Sequence, residues 1–303
     1  MFKYALLLLL IVQVPVFSQA RLVVLGTAQD AGYPQIGCEK ECCKNLLPGQ
    51  KRQVSCIGVT DAETGHAWLL DATPDITSQV KALMALSGKA GSRLPDGIFL
   101  THAHIGHYTG LMYLGREAAD ARKMPVYAMP KLKTFLETNG PWEQLVKLGN
   151  IAVKEMQEDQ PVTLNRNLQV TPVRVPHRDE YSETVGFIIH GPARKALFIP
   201  DIDKWDRWHK NLEDMLAQVD YALLDATFFK NGEIPGRDMS EIPHPFAEET
   251  MKLLKNLPVA EKAKVYFIHL NHTNPLLNPA SEAYREVLQN GFHVAEEGMI
   301  LEL

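Results

Sequence analysis

The chain has 303 residues, 46% of them hydrophobic and 22% charged, with a formal charge of −5. That is the composition of a soluble globular protein with room for a sizeable core. The acidic balance and the lack of any extended Lys/Arg run exclude the basic footprint of a nucleic-acid binder.

Met1 to Ala20 carries Lys3, then a nearly unbroken apolar run from Ala5 to Val16, then Ser18-Gln-Ala20, which resembles a small-residue cleavage site. This is the pattern of a secretory signal peptide, too short to span a bilayer. It predicts an exported protein, periplasmic or secreted, with one mature domain over residues 21–303. No second long apolar segment occurs, so no stable membrane span is expected after cleavage. The length leaves the oligomeric state open, a dimer included.

Arg21 to Gly26 reads as a strand, followed by a Gly-, Pro- and Cys-rich loop to about Gln50. Val54 to Thr60 and His66 to Asp71 read as a hairpin around the turn Asp61 to Gly65. Thr73 with Pro74 opens a helix over Asp75 to Leu86. Gly97 to Leu100 is a short apolar strand, and Leu111 to Leu114 looks like the start of a helix. Pro125 to Met129 is a strand, with helices over Lys131 to Asn139 and Pro141 to Leu148. Leu168 to Val175, Thr184 to His190 and Ala196 to Pro200 are strand-like. Lys204 to Gln218 reads as one amphipathic helix, Tyr221 to Asp225 as a strand, and Pro245 to Leu257 as a helix. Lys264 to Leu270 is a strand, Pro279 to Asn290 a helix, and Phe292 to Leu303 a closing hairpin. Strand runs followed by helices, occurring twice, imply two packed sheets with helices outside, an α+β protein.

The chemistry concentrates where strands end. Thr101 to Gly110 (THAHIGHYTG) puts His102, His104 and His107 in one strand-to-helix turn. Side chains two apart at a strand end point the same way, so His102 and His104 can share one ion. His177, Asp201 and His269 each follow another strand end, and His272 lies three residues beyond His269. Neutral imidazole is a common ligand for borderline divalent metals, and a carboxylate can bridge two of them. The set suits zinc, with manganese or iron as alternatives, in a one- or two-metal hydrolytic site. Cys38, Cys42, Cys43 and Cys56 fit either two disulfides or a zinc site, and local sequence does not choose between them.

In this order HAHIGH, His177, Asp201 and His269 resemble the HxHxDH, His, Asp, His series of the metallo-β-lactamase superfamily. The resemblance implies a four-layer αββα sandwich. Two branches look closest: the cyclic phosphodiesterase of phosphonate breakdown, related to tRNase Z, and pyrroloquinoline quinone biosynthesis protein B. Leu25 to Pro34 followed by Gly37-Cys38 is similar to both. Ile268 to Pro275 is similar to the biosynthesis protein, and Gly298-Met-Ile300 to the phosphodiesterase. The resemblance implies a structural zinc on Cys38, Cys42, Cys43 and His272, with Cys56 as an alternative to Cys42 or Cys43. It also implies one or two catalytic ions, the first on His102, His104 and His177 and the second on His107, Asp201 and His269. His244 would stand beside an anionic small-molecule substrate, and Asp71 would orient a ligand histidine.

The superfamily has Asp where this chain has Gly106, which removes one expected ligand of the second ion. The leading expectation is hydrolysis of a phosphodiester or related ester by metal-bound hydroxide, with Asp201 and His244 at the reacting centre. An iron-dependent oxygenase like that suggested by the biosynthesis-protein branch is the alternative. A metal-binding module without turnover is the reading outside enzymology. The substrate is set by loops such as Tyr113 to Asp120 and Phe228 to Arg237, which the sequence does not interpret.

Overall fold

A computed structural model describes residues 20–88 and 91–303. The candidate leader therefore lies outside the described residues except for Ala20, the first residue of strand β1 (Ala20–Gly26). The first half continues as β2 (Cys56–Asp61), β3 (His66–Leu70), α1 (Ile76–Leu86), β4 (Gly97–Phe99) and α2 (Ile105–Tyr108). Then come β5 (Met124–Ala128), α3 (Pro130–Thr138), α4 (Trp142–Lys147) and β6 (Ile151–Glu155). The second half runs β7 (Val162–Thr163), β8 (Gln169–Arg174), β9 (Val185–His190), β10 (Lys195–Ile199), α5 (Leu212–Leu216) and β11 (Tyr221–Asp225). It closes with α6 (Ala247–Leu253), α7 (Val259–Lys262), β12 (Val265–Ile268), α8 (Glu282–Gln289), β13 (His293–Val294) and β14 (Ile300–Glu302).

The strands form two seven-stranded sheets, ordered β14-β1-β2-β3-β4-β5-β6 and β13-β12-β11-β10-β9-β8-β7. Period-2 alternation sends each strand's apolar residues to both faces. On β1, Leu22 and Val24 join the core between the sheets, while Val23 and Leu25 face the layer that holds Ile76, Val80 and Leu83 of α1. On β11, Leu223 points between the sheets, and Ala222 and Leu224 face the layer of α5, α6 and α8. The result is the αββα sandwich, with Phe99, Phe187 and Phe198 filling its centre.

The folded chain departs from its sequence pattern in several places. Both sheets are mixed, because β3 to β6 and β10 to β13 pair in parallel. The closing hairpin does not exist: β13 adds to β12 in one sheet and β14 to β1 in the other, so the chain crosses the sandwich at its end. The helix expected over 204–218 is a 3-10 turn at Trp205–Arg207 and a short α5. It is interrupted because Trp208 donates its indole N–H to the Arg174 carbonyl and Asn211 caps α5 through Glu213 N and Asp214 N. Strands β6 and β7 have no counterpart in the sequence pattern. The last two residues of β6 are exposed, and β7 has two residues, neither buried, so the apolar signal is weak.

Strand direction decides where function can sit. β1, β3 and β4 run the same way, as do β8, β10, β11 and β12, since β2 and β9 are the antiparallel spacers. Their C-terminal ends open onto one edge of the sandwich, a rigid rim on which short loops build a site. Among the described residues no helix is long and apolar enough to cross a membrane. Truncating Phe198, fully buried between the sheets, to Ala should cost about 3–5 kcal/mol of stability, read from denaturant unfolding.

Candidate metal centre

Every histidine and aspartate singled out at a strand end reaches this rim. Ligand atoms of His102, His104, His177 and Asp201 lie within 4.8 Å of one another. Asp201 Oδ2 is 3.3 Å from His102 Nε2, 3.3 Å from His177 Nε2 and 3.9 Å from His104 Nδ1. A second group, Asp30, His107 and His269, abuts the first, with His107 Nε2 also 3.9 Å from Asp201. Side chains of His102, His107 and His269 are fully buried, and Asp201 is nearly so.

The rings are aimed by a device repeated on both sheets. Asp71 follows β3 with φ 72°, a left-handed conformation that turns its carboxylate back toward β4. It accepts Thr101 N–H at 2.8 Å and the Thr101 hydroxyl at 2.9 Å, and it takes His107 Nδ1–H at 2.7 Å. With its proton given to Asp71, Thr101 Oγ1 accepts from His102 Nδ1 at 3.0 Å. On the other sheet Asp225 accepts the Thr227 hydroxyl at 2.7 Å, and Thr227 Oγ1 accepts from His269 Nδ1 at 3.0 Å. His177 Nδ1 donates to Asp203 at 3.1 Å. With Nδ1 of each ring engaged, four rings aim Nε2 into one space, where His177 Nε2 meets His104 Nδ1 at 3.2 Å. His104 is the exception: its Nδ1 faces Asp201 and its Nε2 faces Glu180 at 3.7 Å.

This arrangement fits divalent ions. His102 Nε2, His107 Nε2, His269 Nε2, Asp30 Oδ1 and Asp201 Oδ1 are buried without a hydrogen-bond partner. An unsatisfied buried polar atom costs roughly 1–3 kcal/mol, and the four besides Asp201 Oδ1, which faces His244 Nδ1 at 3.2 Å, belong to the donor set of a metal site. Burial lowers the pKa of His102, which keeps its ring neutral and ready to ligate. Burial opposes charge on Asp201 too, yet His177 and His244 beside it hold its carboxyl well below the usual range.

From the sequence, Gly106 leaves the second group short of a carboxylate. In the fold Asp30, on the loop after β1, fills that space, with Oδ1 3.3 Å from His107 Nε2 and 3.8 Å from His269 Nε2. Sequence reasoning misses Asp30, along with Asp203 and Asp225. Asp225 ends a strand that the apolar pattern reveals, so the same strand-end rule would find it. Asp30 lies in a Gly-rich loop with no such marker. His244, whose ring is equally compatible with a surface position from sequence, is buried, its Nδ1 2.9 Å from Asp225 and 3.2 Å from Asp201.

The cysteine cluster is Cys38, Cys42, Cys43 and His272, mutually within 4.8 Å, and it uses the adjacent thiols of Cys42 and Cys43 together. Cys56 takes no part. It is fully buried, its Sγ 3.5 Å from the Asp71 carbonyl, and burial pushes its thiol pKa well up. All four cysteines are free thiols, so the disulfide alternative does not hold in this structure.

The same arrangement of strands recurs in known proteins. A family model described as Beta-lactamase superfamily domain matches residues 66–270. Coenzyme PQQ synthesis protein B of Klebsiella pneumoniae is 30% identical over 312 residues, covering 92% of this chain and 97% of that protein. The crystal structure of Zn2+-bound PqqB from Methylobacterium extorquens superposes with a TM-score of 0.75 at 23% identity, over 93% of this chain and all of the other. A diphosphatase of the PhnP family gives a TM-score of 0.65 at 23% identity, over 94% and 97% of the two chains.

Two measurements test this centre. Asp201 and Asp203 on either side of His177 outweigh burial and lift its pKa to about 9, so a divalent ion binding near pH 7.5 must displace a proton. Calorimetric titration in buffers of different ionisation enthalpy should therefore give different heats; equal heats would count against the assignment. After chelation, Cys38 and Cys42, both partly exposed, should react with a thiol reagent in the folded protein, and buried Cys56 only after unfolding.

Proposed function

The chain belongs to the beta-lactamase superfamily, and from that premise we propose that it is a metal-dependent hydrolase cleaving a phosphodiester or related phosphate ester. The observation that carries this reading is the convergence of unpartnered Nε2 and carboxylate atoms on one buried space beside His244. His102, His104, His177 and Asp201 would hold one divalent ion, and His107 and His269 would contribute to a second, with Asp201 Oδ2 3.9 Å from His107 Nε2. Zinc fits the imidazole and carboxylate donors, and manganese or iron are alternatives. When bound, such ions supply an activated water near neutral pH and positive charge for an anionic transition state.

The chain's own residues supply the rest. Asp225 and Asp201 on Nδ1 outweigh burial and hold the His244 pKa well above its ordinary value. Its Nε2 is thus a cationic N–H donor for a phosphoryl oxygen, and it can return a proton to a leaving alkoxide. A cavity of about 210 Å³ beside His177, with Arg174, Asp179, Arg207 and His209 in its wall, has the size for part of a small substrate. The reading includes export, supported by the leader-like pattern of residues 1–20, and a single mature domain, supported by the lack of any linker-like stretch in residues 21–303.

The names of the curated relatives favour a second reading, a role like that of PQQ synthesis protein B, for which the reaction would be an iron-dependent oxygenation. Purified protein loaded in turn with zinc, manganese and ferrous iron should cleave an aryl phosphodiester. His104→Ala should remove that activity, and His244→Asn should lower kcat roughly 10²–10⁴-fold. Dioxygen consumption with iron, and no cleavage across phosphodiesters, lactones and carboxylic esters, would replace hydrolysis by the second reading.

A further inference from the structure

Gly106 sits inside the histidine motif yet offers no ligand, and the reason is steric. A Cβ at this position would lie 2.6 Å from the Asp30 Cα and closer still to the Asp30 carboxylate. The backbone of one segment fills the space where the side chain of the other would be. Asp30 Oδ1 and the Nε2 atoms of His107 and His269 meet there, all three buried and none with a hydrogen bond.

The spacing suits coordination. Ligand atoms at about 2.0–2.1 Å from a tetrahedral ion lie roughly 3.3–3.5 Å from each other. The observed separations from Asp30 Oδ1 are 3.3 Å to His107 and 3.8 Å to His269. The backbone around Asp30 is fixed on both flanks. Ala28 N donates to Gln53 O, Gln29 N to Leu270 O, Leu270 N to Thr27 O, and Gly32 N to Gln29 O. The carboxylate is therefore delivered by a pinned turn, and the His107 and His269 rings beside it are held at Nδ1 by Asp71 and Thr227.

We propose that Asp30 is the carboxylate ligand of the second divalent ion, and that Gly106 is the cleared space that admits it. The ligand that the motif lacks comes from the loop after β1. This deepens the two-ion reading above and rests on it, but it concerns metal binding and not the bond cleaved.

The test is metal binding by the full chain. Ions per chain are counted by elemental analysis after equilibration with excess zinc and removal of the unbound metal, and visible absorption is recorded after cobalt loading. Asp30→Asn, nearly isosteric, should hold one ion fewer than the unmodified protein and lose the cobalt bands of that site. The cysteine-cluster ion should be retained, showing that the loop is folded. Gly106→Ala, which keeps Asp30 but displaces it, should show the same deficit. An unchanged ion count and cobalt spectrum in Asp30→Asn would overturn the proposal. So would weaker binding with an unchanged spectrum, which would make Asp30 a partner of the rings only, and so would an unmodified protein with one ion besides that of the cysteines. Failure to cleave any phosphodiester while the ion deficit is observed would sink the hydrolase reading and leave this one standing.

Discussion

The structure depends on holding correctly oriented imidazoles in a buried space that leaves the Nε2 atoms of His102, His107 and His269 without a hydrogen-bond partner. Buried polar atoms left unpaired are costly, and the cost is tolerated only if the surroundings determine each ring's position. The Asp71–Thr101 and Asp225–Thr227 pairs do this from opposite sheets. Each pair uses one carboxylate and one hydroxyl to set the proton of a ring one bond further out. His269 itself has φ 64°, a strained backbone that neighbours on every side hold in place. The fold around the rim acts as support for these few hydrogen bonds.

That support explains the strand directions. Ligand-bearing or ligand-orienting segments leave β1, β3, β4, β8, β10, β11 and β12 at the same edge, and the two antiparallel spacers make this possible without long crossings. The inter-sheet core of Phe99, Phe187, Phe198, Leu223 and Ile268 then fixes one rim against the other. Asp201 belongs to one sheet and faces histidines from both, so packing in the middle of the sandwich sets the register of the site.

Much of this is legible in the sequence, and the parts that are not have identifiable causes. Strands with strong apolar runs, and polar residues at their ends, announce themselves by period and position. His102, His104, His107, His177, Asp201 and His269 are all found in this way. Two-residue and half-exposed strands such as β7 and β6 carry too little apolar signal. The segment over 204–218 has a helical period, but the tertiary bond from Trp208 to the Arg174 carbonyl overrides it. The last two strands look like a hairpin because their true partners lie elsewhere, β14 pairing with β1 at the opposite end of the chain. Asp30 escapes for the same reason: its meaning depends on an empty position at Gly106, and only the folded chain brings the two together.

Paired backbone bonds lace Thr27 to Gln29 onto Leu270, and the lace couples the two candidate metal sites mechanically. Asp30 and the three clustered cysteines lie downstream on one of its strands, and His269 and His272 flank Leu270 on the other. Parting the lace would carry Asp30 away from His269 and the thiols away from His272 in a single motion. The cysteine cluster and the candidate metal centre thus share one backbone ladder, which positions residues of both. A tie between the thiols and His272 would span the same two segments that the pairing of Thr27 and Gln29 with Leu270 already joins.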